Sequence, residues 1–179
     1  MSITTIFNNG QRELTEKAEE LETLSADIVK ETVKASQQIV TAVERLELAR
    51  AGEQQARDNV VWINSEIEEK DNHGYEELKE LLTKQQESET DERIFRILAI
   101  EEKPRAMVKV EDIASDFQTS IDAYRTALSE LRELIERYSS ESTENHLNEL
   151  YEKYEKVIKS QTEQLNKYIG KYSLPVTVN

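Results

Sequence analysis

The chain has 179 residues, with 37 acidic side chains against 23 basic ones and a formal net charge of −14. Four glycines and two prolines are too few for a sheet protein, which needs a turn every ~8–12 residues, and the absence of cysteine removes disulfides, thiolate metal sites and a cysteine nucleophile. The richness in Glu, Lys, Leu, Ala and Gln, with a mean hydropathy of −0.72, is that of long amphipathic helices.

The expected fold is all-α: one domain over residues 1–179, built as an elongated antiparallel helical bundle or coiled coil with one very long N-terminal helix. Helices are predicted near 10–70, 75–88, 105–139 and 142–172. The opening residues, Met1 to Gly10, have neither the basic start nor the apolar core of a secretory leader. The longest apolar stretch, Ile94–Ile100, is interrupted by Arg96 and falls far short of the ~20 residues of a membrane span. The expectation is a soluble, cytoplasmic protein.

The first element carries the clearest pattern. Every seventh residue gives Leu14, Leu21, Ile28, Ala35, Ala42, Ala49, Ala56 and Ile63; four further on stand Ala18, Ser25, Thr32, Ile39, Leu46, Glu53, Val60 and Ile67. This is heptad periodicity without a stutter. A helix of ~60 residues at 1.5 Å each would span roughly 90 Å. The alanines at the centre of the seam predict close approach by a neighbouring helix, and Gly52 marks a kink, a close approach or an ordinary surface position.

Asp71-Asn72-His73-Gly74 is the first break, with Asn72 or Gly74 placed to cap a short helix whose first turn holds Glu76 and Glu77. Thr83 to Arg93 contains no apolar residue and is read as a polar linker. Residues 94–110 admit two readings: a pair of helical turns with Ile94, Ile97 and Leu98 facing inward, or a small β-hairpin turning at Glu101–Pro104, since short apolar runs cannot be assigned by periodicity alone. Beyond them run two further stripes, Val110, Ile113, Phe117, Ile121, Tyr124, Leu128, Leu131, Ile135, Tyr138 and then Leu147, Leu150, Tyr154, Val157, Gln161, Leu165, Tyr168, Tyr172. They predict a helical hairpin over 105–172, followed by an extended, loosely held tail at 173–179.

Chemical motifs are sparse. There is no Gly-rich phosphate loop, no Gly-x-Ser-x-Gly elbow and no His-Glu-x-x-His. The two histidines, His73 and His146, lack a Glu three residues earlier. Acidic pairs such as Glu68/Glu69 and Glu76/Glu77 have no apolar pocket to raise a carboxyl pKa. No catalytic residue, cofactor or metal is expected. Tyr151-Glu-Lys-Tyr-Glu155 contains a Tyr-x-x-x-Glu that resembles the export signal of type VII secretion substrates, themselves helical hairpins. Trp62-Ile63-Asn64 lacks the glycine of their Trp-x-Gly turn and lies inside the heptad run, so no family is assigned.

The functional expectation is therefore a non-enzymatic protein–protein interaction module, a scaffold, adaptor or inhibitor that presents coiled-coil faces to a protein partner or to a second copy. Leu14, Leu21, Ile28, Ala35 and Ile39 are the expected contact residues, because following helices of half the length would leave that part of the seam uncovered; Trp62 is added as an anchor of a helix–helix contact. Two alternatives compete. One is a membrane-active protein, such as a pore-forming toxin component, with its tip at 94–110 beside Arg96, Lys103, Arg105 and Lys109, although the lack of a strongly apolar tongue disfavours a membrane. The other is an acidic nucleic-acid mimic using residues 66–92, where 11 acidic groups face three lysines. Direct nucleic-acid binding is not expected at this charge, since phosphate contacts need clustered Lys and Arg.

Overall fold

The computed structural model describes the backbone of residues 3–69, 73–138 and 141–179 and the side chains of 11–69, 73–138 and 148–179. Three helices account for nearly all of it: α1 (Ile3–Glu68), α2 (Tyr75–Tyr138) and α3 (Glu141–Gly170). The heptad seam is the cause of the α1–α2 pairing. Leu21, Ile28, Ala35, Ile39, Leu46, Ala49, Ala56 and Ile63 are buried, and Val43 takes the inward place expected for Ala42. The two helices run antiparallel, as the cross-helix bonds show: Lys17 meets Glu130 and Ser25 meets Tyr124, while Glu53 meets Arg96 and Asn64 meets Gln85. The chain divides into two compact units, Met1–Ile39 with Val110–Asn179, and Val40–Lys109.

The first unit is a three-helix bundle. Phe117, Ile121, Tyr124, Leu128, Leu131 and Ile135 of α2 are buried as their stripe predicts, and α3 adds Tyr154 and Leu165 together with Ile158 and Ile169. A chain of hydroxyls ties the three helices together. Tyr124 donates to the Tyr154 carbonyl at 3.2 Å, which leaves the Ser25 hydroxyl to donate to Tyr124 at 2.7 Å, and Tyr154 donates to the Ala18 carbonyl at 3.2 Å. Burial raises the Tyr124 phenol above its ordinary 10.0, against the opposing Ser25 hydrogen bond; burial raises Tyr154 too, with Glu22 adding to it. Both phenols ionise more readily once unfolded, so their stabilisation is complete below the unfolded pKa and is lost as pH climbs past it. The urea midpoint of the wild type is expected to fall between about pH 9 and 11, and to fall less steeply in Tyr124→Phe.

The C-terminal segment is extended, as predicted, but it is held. Ser173 takes a left-handed turn (φ 54°) after α3, and the chain then buries alternate residues Leu174, Val176 and Val178. Two side-chain amides grip the backbone there. Asn166 donates to the Val178 carbonyl and accepts from its N–H, both at 2.7 Å; Gln118 donates to the Asn179 carbonyl at 3.1 Å and accepts from its N–H at 2.7 Å. The expectation of a loose tail is corrected, because α2 and α3 each supply a partner that matches a peptide unit.

The second unit is a pair of antiparallel helices. Here the expected linker at 83–93 and the expected β-hairpin at 94–110 are both overturned: α2 is continuous through them, and no strand occurs among the described residues. The polar stretch stays helical because its contacts with α1 are polar. Arg57 and Arg96 alternate with Glu53 and Glu92 in a closed ring of four ion pairs at 2.8–3.4 Å, with both carboxylates largely covered. Phe95 then packs against Gly52, where a methyl group on the glycine would come within 2.6 Å of the ring. Pro104, inside α2, removes one intrahelical hydrogen bond, but it and Ile100, whose carbonyl loses that bond, are both on the exposed side, within reach of water.

Gly52 is thus a close-approach glycine. Gly52→Ala would add ~1 kcal/mol of helix propensity but force Phe95 to shift, at ~1–3 kcal/mol. The substitution is expected to lower the urea midpoint in the wild type and to raise it in a Phe95→Ala background. Asp71 and Asn72, Ser139 and Ser140, and the side chains of His146 and Leu147 lie outside the described residues.

Candidate functional site

The residues expected to form an exposed seam are mostly inside. Leu21, Ile28, Ala35 and Ile39 are at most 5% exposed, and Leu14 is partly covered. The physical reason is the length of α2. At 64 residues it is about twice the helix expected there, and its second half, joined by α3, covers the stretch of α1 that shorter helices would leave bare. Trp62 is 57% exposed. Tyr151 and Glu155 line an open cleft of about 890 Å³ between α2 and α3, floored by Leu128 and Ile158, with Arg132 stacked 5.8 Å from the Tyr151 ring. His73 is not a free turn histidine; its Nδ1 lies 3.1 Å from Glu77 and its Nε2 3.7 Å from Glu66.

Exposed large apolar side chains occur on both units, Val29 and Val33 of the first among them; the densest run lies on α2 in the Val40–Lys109 helix pair. Along α2, Ile94 is 49% exposed, Ile97 56%, Leu98 39% and Val108 58%. Their spacing of three and four places them on one helix face together with Glu101 and Arg105. The opposite face of the same stretch carries Phe95, Ala99, Glu102 and Ala106, which turn toward α1. Residues 94–108 therefore have two apolar stripes, one used inside the unit and one not. Beside the outer stripe runs a groove of about 590 Å³, lined by Thr41, Ala42 and Arg45 of α1 and by Arg105 and Val108 of α2.

The outer stripe has a mixed charge at its centre. Arg105 reaches back to Glu102 at 3.2 Å with its side chain 66% exposed, and the exposed Glu101 carries no ion pair among the described residues. Arg96, by contrast, is engaged in the inner ring and belongs to the helix pairing. The sequence singles out 94–110 only as the tip of a membrane-active alternative, and the inward placing of Ile94, Ile97 and Leu98 is corrected: they are exposed, because the inner and outer stripes overlap in Ile94–Ile100 and their sum reads as an undivided apolar run. The signal that separates them is the recurrence at 94, 97, 98, 101, 105 and 108, offset from 95, 99, 102 and 106.

Comparison with protein-family models, with curated proteins and with solved structures gives no match. No group of three or more His, Cys, Asp or Glu side chains able to hold a metal ion occurs among the described residues, and none of their helices is long and apolar enough to cross a membrane.

Proposed function

We propose that the chain is a non-enzymatic interaction module and that it engages a protein partner through the outer face of α2 at Ile94–Val108. The observation that carries this reading is the set of four large aliphatic side chains, each more than a third exposed, on one face of a helix whose other face is already packed. Singly exposed aliphatics need no explanation, but several on one helix face, here Ile94, Ile97 and Leu98 with Val108 beyond Glu101 and Arg105, are the usual mark of an interaction site. The heptad order of the helices supports the same reading, since a partner helix meets regularly spaced side chains and can seat between them.

The alternative of an acidic mimic has less to draw on. Glu92 is committed to Arg57 and Arg96, and Glu66 and Glu77 flank His73, so the 66–92 acids do not form a uniform anionic surface. The interaction reading is tested by capture from a cell extract with the full chain and with Ile97→Asp/Leu98→Asp. Both sites are already exposed, so the double variant is expected to melt within about 1 kcal/mol of wild type and to lose the captured protein. Identical capture by both chains would overturn the assignment to this face.

A further inference from the structure

The charges at the centre of the outer stripe identify what fits it. Glu101 and Arg105 lie one helical turn apart on the same face, between Leu98 on one side and Val108 on the other. If a second α2 lay parallel in register, Glu101 would meet Glu101 and Arg105 would meet Arg105. Like charges set opposite one another suppress association. An antiparallel helix whose two-fold axis passes at the level of Lys103 reverses this. Glu101 of each chain then faces Arg105 of the other, twice by symmetry, and Leu98 of each chain faces Val108 of the other. Lys103 itself projects from the far side of the helix and does not enter the contact.

We propose that this face is the contact between two copies of the chain, paired antiparallel and isologously through residues 94–108. The proposal rests on the interaction reading of the preceding subsection and names its partner. A two-fold contact closes on itself, so it yields a dimer and not a filament. The groove lined by Thr41, Ala42, Arg45, Arg105 and Val108 opens beside the place where Leu98 of the second copy arrives, and it offers that side chain a seat. Arg105, bonded to Glu102 within its own helix, gains a further acceptor, and Glu101, which has no ion pair among the described residues, gains one. Because the paired charges sit between Leu98 and Val108, they set register and orientation; Leu98 and Val108 supply the central apolar contact, with Ile97 and Ile94 at the levels of Lys109 and Asp112 of the other copy.

Sedimentation equilibrium of the full chain at about 1–100 µM tests the pairing. The wild type is expected to be a dimer. Glu101→Arg alone and Arg105→Glu alone each place two like-charged pairs in the contact and are expected to weaken it at least about tenfold. An equimolar mixture of the two variants restores both opposite-charge pairs, and its heterodimer is expected within about threefold of the wild-type affinity. Unchanged helix content of each variant by circular dichroism shows that the fold is intact. A monomeric wild type over this range overturns the proposal, as does a wild-type dimer that both single reversals leave unchanged. A monomeric wild type whose captured protein is still lost in Ile97→Asp/Leu98→Asp overturns the second copy and retains the face; loss of dimer and capture together removes both. Binding of a monomeric wild type to phosphatidylglycerol vesicles, abolished by Ile97→Asp, would replace the second copy with a bilayer surface and overturn the proposal.

Discussion

Leu21→Glu is expected to abolish cooperative melting of the three-helix unit. Leu21 is fully buried. Its replacement forfeits ~1.5–3 kcal/mol of apolar transfer and places a carboxyl group in a buried seam, where the lysine one turn away, Lys17, is already shared by Glu20 and Glu130. The carboxyl must either remain charged in an apolar seam or take up a proton at neutral pH, and the total cost exceeds ~4 kcal/mol out of the ~5–15 that a domain of this size commands. Thermal unfolding followed by circular dichroism reads the effect directly. Partial recovery near pH 4 is expected, because the proton is then already supplied. A wild-type melt at neutral pH would mean that α1 is not packed at this level, and the burial of Ile28 and Ile39 would fall with it.

The second large effect is expected at Leu131. It too is fully buried, on the α2 stripe that closes the bundle with α3. Leu131→Ala removes its transfer energy and leaves a cavity, together ~2–5 kcal/mol. Leu48→Ala on α1, outside the outer stripe, is the control: it is already 64% exposed and is expected to change stability by less than about 0.5 kcal/mol. A urea titration of both variants measures the difference. Equal midpoints would show that the stripe through Leu131 is not the core.

These contrasts show which parts of the molecule are legible in the sequence. Leu21, Ile28, Ile39 and Leu131 declare themselves because each repeats at heptad spacing among charged neighbours, and periodicity alone then assigns both helix and inward face. Thr83–Arg93 does not, because its attachment to α1 is made by Gln85 and Glu92, whose partners Asn64 and Arg57 are recognisable only once the helices are side by side. A seam built from ion pairs looks like a gap to any reading that counts apolar residues. The tail fails for a similar reason. The alternation of Leu174, Val176 and Val178 is visible, but the amides that hold it are 12 and 61 residues away along the chain.

The site is hidden more deeply. Ile94, Ile97 and Leu98 suggest either a helix or a strand because Phe95 and Ala99 lie among them and belong to the opposite face. The exposed seam expected at Leu14–Ile39 follows from a correct pattern and a wrong length for α2, since covering α1 depends on how far its neighbour runs and not on α1 itself.

The division of the chain bears on how it reaches this structure. Val40–Lys109 is one uninterrupted stretch, whereas the three-helix unit is drawn from both sides of it. A contact such as that between Ala18 and Tyr154 must close a loop containing the whole helix pair, while the contacts around Gly52 and Phe95 close a much shorter one. Closure entropy grows with loop length, and contacts of high sequence separation slow folding. Once the local pair has zipped, residues 39 and 110 arrive together and most of that entropy is already spent. The Arg–Glu ring and the phenylalanine seated on glycine therefore act on the rate at which the distant tyrosines find each other, although they touch none of them.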